Sequence, residues 1–345
     1  MNVKLTSERE VLDYFASEAN RFASLGSVSR VHKLSGGYAN YVYRLILDDS
    51  SSSLVLKHFS THVASAQYVP MSPERYFVEK RALQLAQQCI DPAELIRTPR
   101  IVAFDDDLFA LILEDCGDQL RALTDLLKSS YDDSSDSTDE LIARIIRDTK
   151  RFLNRINDMV NADDSHRAVF SQTPYWTTLN ENFPHIIQAL VDKFQDFKQP
   201  LEQSFLGKHK QFVQPLANAH FVHGDLWSNS FLIDFEKQIV WLLDWEASRL
   251  DTEWRDLQTI CSSLWLMREN EKLFSSKRIN HLLRRLQLEF LGDESADWRR
   301  ETGENVRDNF LLVLSYALLT EDNLEANLAN PTMTGLKALA EFKDI

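Results

Sequence analysis

One stretch of the chain sets acids, an amide and a hydroxyl around two short apolar runs. It reads His223-Gly-Asp-Leu-Trp-Ser-Asn-Ser230, Phe231 to Ile233, a turn at Asp234 to Lys237, Ile239 to Leu243, then Asp244-Trp-Glu246. The apolar runs predict a β-hairpin, and a hairpin brings its two ends together. Asp225, Asn229 and Ser230 at one end would then face Asp244 and Glu246 at the other. Carboxylates gathered without a counter-charge repel one another and resist ionisation, so the cluster is expected to hold a cation or a proton in transit. Magnesium accompanying a phosphate substrate is the expected occupant. The plain alternative is a surface hairpin with solvated acids. Against it, Phe221-Val-His-Gly-Asp225 runs an apolar strand straight into the polar loop, as a buried scaffold does when it presents reactive groups.

Such a hairpin needs elements to hold it and a second surface to face. Upstream, Val28 to Lys33, Tyr41 to Leu47 and Leu54 to Phe59 are rich in Val, Ile, Leu and Tyr and predict an antiparallel meander, with Ser35-Gly36-Gly37 and Asp48 to Ser53 as its turns. The first turn is either an ordinary hairpin turn or a place where backbone N–H groups of Ser35, Gly36 and Gly37 approach a phosphate, since glycine puts no side chain in the way. Lys57 lies inside Leu54-Val-Leu-Lys-His58. There it either points to solvent from an edge strand or is buried and needs an anion, which a nucleotide phosphate and Glu79 or Glu74 would supply. Residues 73 to 89 predict a helix with Pro73 near its start, whose Phe77, Leu83 and Leu85 cover the sheet; Glu79, lying among them, is the better partner for Lys57. An opening amphipathic helix is expected over 7 to 24, capped by Thr6-Ser-Glu-Arg-Glu10, and two further strands over Pro99 to Phe104 and Leu108 to Leu113. Leu113-Glu-Asp-Cys-Gly117 then leaves the sheet as a connection.

From 118 onward strands are scarce. Tyr131 to Glu140 reads as a polar, acidic, mobile loop, and Leu141 to Met159 as a long amphipathic helix. Residues 170 to 195 read as irregular structure followed by a helix. Asp256 to Met267, Ile279 to Phe290 and Val306 to Leu319 are helical by period. Strands first and helices later, over 345 residues with 44% hydrophobic content, predict an α+β protein large enough for two lobes. No apolar run reaches membrane-span length and no signal-peptide core opens the sequence, so a cytoplasmic location with no membrane partner is expected. Cys89, Cys116 and Cys261 are odd in number and far apart, which predicts buried thiols instead of a disulfide framework or zinc site. The formal net charge of -14 argues against nucleic acid as a partner and favours a cationic, amine-bearing small molecule.

In this order, the glycine turn, strand lysine, helix glutamate, connection, His223-Gly-Asp-Leu-Trp227 and Leu242-Leu-Asp-Trp-Glu-Ala247 resemble the aminoglycoside phosphotransferase and choline kinase superfamily over roughly residues 28 to 260. The resemblance implies a bilobal protein-kinase-like fold, with a small antiparallel-sheet lobe over 1–116 that binds nucleotide and a mainly helical lobe over 117–345. It implies ATP and Mg2+ as cofactors and a small-molecule hydroxyl as acceptor. Carried over by position, Lys57 contacts the phosphates and Glu79 holds Lys57. The backbone of Glu114 to Cys116 binds the adenine edge, Asp225 is the base, and Asp244 is a magnesium ligand. His223 and Asp256 support the loop. A base of ordinary carboxylate pKa suffices for phosphoryl transfer.

The family usually has asparagine seven residues after the histidine, where this chain has Ser230 with Asn229 one place earlier. Serine there, the Asp-x-Glu pair and Val69-Pro-Met-Ser-Pro-Glu-Arg75 are similar to the methylthioribose kinase branch. In that branch Glu246 would share the metal with Asp244, and either Ser230 or Asn229 would complete the site. Leu34-Ser-Gly-Gly37, Leu56-Lys-His58 and Asp225-Leu-Trp-Ser228 are also similar to fungal hydroxytryptamine kinases. The arginine-rich segment expected near the end of a methylthioribose kinase is missing from Ala326-Asn-Leu-Ala-Asn-Pro-Thr-Met-Thr334, so the acceptor is not readable. A nucleotide-binding pseudokinase with a regulatory role is the alternative that the Ser230 departure motivates. A protein kinase fits poorly, because Asp-Phe-Gly and Ala-Pro-Glu are both missing.

Overall fold

The structure is a computed structural model that describes residues 4–34, 39–48, 52–128, 136–172, 174–175, 177–178, 219–253, 255–268 and 274–291. Ser35, Gly36 and Gly37, most of the 170-to-195 segment and the helix expected over Val306 to Leu319 lie outside the described residues.

Five strands form an antiparallel sheet in the order β1 (Val28–Lys33), β2 (Tyr41–Leu47), β3 (Ser53–His58), β8 (Ala110–Glu114), β7 (Ile101–Asp105). Side chains alternate across it. Tyr41, Tyr43 and Leu45 of β2 with Leu56 of β3 are buried on one face against Val11, Tyr14 and Phe15 of α1 (Glu8–Ser17). Val55, Leu111 and Leu113 face the other way, into the larger core shared with α2 (Arg75–Gln88). Lys57 is two residues from Val55 and directly opposite Leu111, so strand parity turns it toward α2.

The opening helix is shorter than expected. It stops at Ser17, and a 3-10 turn covers Ala23–Leu25. The chain bends there because Arg21 turns back to join Tyr14 on the buried carboxylate of Asp105. Its start is as expected: Ser7 caps it, and Glu10 accepts from the Thr6 backbone N–H. Phe77 is a correction. It is 45% exposed and packs edge-on against Tyr76 and Phe109, while Leu83 and Leu85 are buried as expected. A small antiparallel pair, β4 (His62–Val63) and β5 (Ala66–Pro70), precedes α2.

Beyond the sheet, the expected hairpin forms as β11 (Phe231–Asp234) and β12 (Ile239–Leu242), with Phe231 opposite Leu242. It is the centre of a four-stranded sheet completed by two strands too short to show a period, β6 (Ile96–Arg97), parallel to β12, and β9 (Arg121–Ala122). β10 (His220–Val222) pairs with β13 (Arg249–Asp251), so the strand entering the polar loop lies beside the strand that follows Glu246. Five helices complete the described part: α3 (Leu123–Leu127), α4 (Asp136–Asn161), α5 (Asp164–Ser171), α6 (Arg255–Arg268) and α7 (Ser276–Leu291). Phe152, Ile156, Trp245, Leu257, Leu264, Ile279 and Leu282 bury themselves among them. The acidic segment is corrected in its second half: Asp136 to Glu140 is the start of α4, where acids complement the positive end of the helix dipole. No described helix is long and apolar enough to cross a membrane.

Candidate active site

Lys57, 4% exposed, donates to both oxygens of Glu79 at 2.9 and 2.7 Å and to Asp244 at 2.8 Å. Burial would strip its proton, but the charges of Asp244, Glu79 and Glu246 outweigh burial and raise its pKa, so it is a cation. Burial pushes Glu79 up, against the lowering pull of the ammonium. Asp244 is held below the usual carboxylate range: the water it loses on the side facing Lys57 raises it, and the charge and hydrogen bond of Lys57 outweigh that. Its backbone is left-handed, φ 63° and ψ 63°, a conformation a non-glycine residue adopts only when its surroundings enforce it. Its side chain is 53% exposed, so it is both the partner of Lys57 and open to a ligand.

The polar loop is held by its own backbone. Asp256, in the first turn of α6, accepts from the N–H groups of His223 at 2.7 Å and Gly224 at 2.8 Å. His223 Nε2 donates to the Leu243 carbonyl at 2.9 Å, and its Nδ1 accepts from the Asp225 N–H at 3.3 Å. Burial pushes the ring down to about 4, so it is neutral and fixed in one tautomer. Gly224 has φ +86°, and a Cβ there would meet the Ala247 carbonyl oxygen at 2.1 Å; only glycine fits. The Ser230 hydroxyl donates to the Asp225 carbonyl oxygen at 2.8 Å. Asp225 is thus presented by four neighbours, yet its carboxylate accepts no hydrogen bond from any described residue. Burial, then Asp244 and Glu246, push it up to about 7, well above the ordinary carboxylate range expected from the sequence.

Glu246 is 7% exposed. One oxygen accepts from Asn40 Nδ2 at 2.9 Å and the other from Arg75 Nε at 2.7 Å. Neither Asn40 nor Arg75 stands out in the sequence, where an arginine on an amphipathic helix reads as surface. The available signal is spacing: Arg75 is one turn before Glu79, so both share a face of α2. Asn229 is exposed, and its amide oxygen accepts from Thr124. Ser230 is wholly buried.

Glu114, Asp115 and Cys116 lead out of β8. The Glu114 N–H donates to the Arg100 carbonyl at 2.9 Å. Asp115 is clamped by Ser53 at 2.6 Å, by the Gly117 N–H at 2.9 Å and by Arg44. The Cys116 backbone N–H and C=O make no hydrogen bond with any described residue, so one donor and one acceptor are free side by side. Its thiol, half-buried where a buried one was expected, is pushed up to about 12 by burial and by Asp115. Cys89 and Cys261 are buried thiols.

Among the described residues no three His, Cys, Asp or Glu side chains gather as a closed metal cluster. The convergence of three carboxylates expected from the sequence is therefore not found as a metal cluster among the described residues; magnesium is commonly held by one or two carboxylates, waters and substrate phosphates. The Asp244 side chain is 53% exposed beside Lys57, and the Asp225 carboxylate accepts from no described residue, so both offer oxygens to such an ion.

Residues 30–289 match the family model described as a phosphotransferase enzyme family. No curated protein matches the chain. Among solved structures, the GDP complex of wild-type aminoglycoside 2'-phosphotransferase-IIIa is 14% identical with a TM-score of 0.55, over 96% of this chain and 97% of that one. The GDP and kanamycin complex of APH(2")-IIia is 15% identical with a TM-score of 0.55, over 96% and 98%. Spectinomycin phosphotransferase APH(9)-Ia with ADP and spectinomycin is 12% identical with a TM-score of 0.50, over 98% and 95%. At these identities the likeness is one of fold. The α+β, kinase-like fold class expected from the sequence is the one these proteins share.

Proposed function

The chain belongs to the phosphotransferase enzyme family, and we propose that it is a kinase that transfers the γ-phosphate of ATP to a hydroxyl of a small metabolite. In this reading residues 1–116 are the nucleotide lobe and residues 117–345 carry the catalytic loop and acceptor pocket. Ser35, Gly36, Gly37 and Lys57 meet the phosphates, Glu79 holds Lys57, and the free backbone groups of Cys116 after Glu114 take the purine edge. Asp244 and Glu246 would hold Mg2+, which would supply positive charge to the phosphate oxygens; the Asn229 oxygen accepts from Thr124 and the Ser230 hydroxyl donates to the Asp225 carbonyl.

Asp225 takes the proton of the acceptor hydroxyl as its oxygen bonds to the γ-phosphorus. The bond from that phosphorus to the β–γ bridging oxygen breaks, and ADP leaves with the electron pair. The protein's work is positioning and charge. His223, Asp256 and Ser230 fix the loop that carries Asp225, so the carboxylate is aimed before substrate arrives. The observation that carries the reading is Lys57 pinned between Glu79 and Asp244 beside an Asp225 carboxylate that no described residue engages.

The acceptor is a methylthioribose-like sugar, a hydroxytryptamine-like alcohol or another amine-bearing alcohol; the acidic charge balance favours the amine. The neighbours' complexes with kanamycin and spectinomycin are in keeping with a small-molecule acceptor. The test is thermal-shift titration with ATP and GTP, with and without Mg2+, followed by nucleotide consumption against a panel of these alcohols. Turnover on at least one, abolished in Asp225→Asn, is expected. Wild-type turnover in Asp225→Asn would remove Asp225 as the base. Tight nucleotide binding with no turnover on any alcohol would make the protein a nucleotide-binding regulatory module.

A further inference from the structure

Arg75 is 0% exposed, and all five of its N–H bonds are used. Nε donates to Glu246 at 2.7 Å. One terminal nitrogen donates to the carbonyls of Ser60 at 3.0 Å and Ser72 at 2.6 Å, and the other to the Ala39 carbonyl at 3.2 Å and the Asn40 amide oxygen at 2.8 Å. Asn40 closes the ring by donating to the second oxygen of Glu246 at 2.9 Å. The guanidinium also lies over the Phe59 ring, 5.5 Å from its centre.

A fully buried arginine is an expensive way to fill a core, since an apolar residue of similar volume often serves stability as well or better. What the guanidinium supplies is geometry, a rigid planar fork that meets several acceptors at fixed angles. Three of those acceptor residues come from two segments far apart in sequence. Ala39 and Asn40 are the described end of the turn between β1 and β2, and Glu246 closes the acidic end of the hairpin. α2 carries both Arg75 and, one turn later, Glu79, so the same helix positions Lys57 and Glu246.

We propose that Arg75 is a positioning residue that ties Asn40, at the entry to β2, to Glu246, so that these two residues are held in one fixed arrangement for the nucleotide. Second partners of this kind orient ligating carboxylates. The proposal rests on the kinase reading and adds to it how two distant segments are kept in register.

The variants are Arg75→Lys, Asn40→Ala and the double variant. Each is titrated with ADP in the absence of metal and assayed for KM and kcat with the best acceptor of the panel. Lysine keeps a charge beside Glu246 but cannot reach all five acceptors. Arg75→Lys and Asn40→Ala are each expected to raise the ADP Kd and nucleotide KM about tenfold, the effect of losing one charge-assisted hydrogen bond. kcat changes less than about threefold, and the double variant is no more than about twofold worse than Arg75→Lys, because both act through one link. Lowered thermal stability with unchanged Kd and KM would reduce Arg75 to core filling, and effects that multiply in the double variant would break the link. If Arg75→Lys fails to fold, Asn40→Ala alone decides by the same criteria. Wild-type protein that binds no nucleotide would instead overturn the kinase reading; wild-type binding with variants that bind equally well overturns only this proposal.

Discussion

Asp225→Asn should make the empty protein more stable at alkaline pH while removing its activity. The folded protein holds the Asp225 carboxyl at about 7, against an ordinary value of 3.8, first by burial and then by repulsion from Asp244 and Glu246. Between those two values the folded state binds a proton that the unfolded chain has released, so stability falls as pH rises through the window. For a group moved this far the ceiling is about 4 kcal/mol. Asp225 is only partly buried and solvent screens its neighbours, which brings the expected loss to about 2 kcal/mol. Asparagine has the shape of the protonated acid and cannot ionise. Urea unfolding should therefore find the variant more stable by less than about 1 kcal/mol at pH 5 and by about 2 kcal/mol at pH 8. Saturating Mg2+ and nucleotide should shrink the gap, because positive charge removes the repulsion. A variant no more stable than wild type at pH 8 would refute the claim that Asp225 is held against its charge.

Gly224→Ala, the smallest substitution possible, should cost more than about 3 kcal/mol or prevent folding, because the methyl group would occupy the Ala247 carbonyl position; chemical denaturation measures it, and near-wild-type stability would mean the loop is built differently. Ser230→Ala should lower kcat by about threefold to tenfold through loss of the bond to the Asp225 carbonyl. The Mg2+ concentration for half-maximal rate should move less than about twofold, and a much larger rise would make Ser230 a ligand instead. Lys57→Met leaves Glu79 and Asp244 without their cation. It should destabilise the protein by about 3 kcal/mol near neutral pH and abolish the nucleotide-induced thermal shift. Because burial raises Glu79, the destabilisation should ease as pH falls and Glu79 takes a proton.

Much of this arrangement is legible in the sequence, for identifiable reasons. A lysine inside an apolar strand has a parity, and a helix after it has a face, so Lys57 and Glu79 meet as expected at 2.7 Å. Hairpin geometry brings the ends of 223 to 246 together because two short apolar runs are separated by a polar turn, and Phe231 pairs with Leu242. Phe77 went the wrong way because it lies two residues before Glu79, about 200° around the helix, and the two cannot share a face. Arg75 escaped because burial of its charge depends on acceptors that, apart from the Ser72 carbonyl, come from segments 15 to 171 residues away. Asp136 to Glu140 looked like solvent-loving loop because composition does not distinguish a polar loop from the first turn of a helix. The two-residue strands β6 and β9 carry no period at all and exist only because the hairpin offers them an edge.

The pairing of Lys57 with Asp244 bears on how the protein would behave between turnovers. The cleft holds the carboxylates of Glu79, Asp225, Asp244 and Glu246 and the cations Lys57 and Arg75. With all six ionised, two negative charges are left over, the complement of one divalent ion. The ammonium of Lys57 lies on Asp244 at 2.8 Å, and protonation of Asp225 lowers the imbalance further. Departure of product would therefore not strand bare acids against one another, because one cation steps in as another leaves. The resting protein is in this sense its own counterion, ready to hand the post back when the next nucleotide arrives.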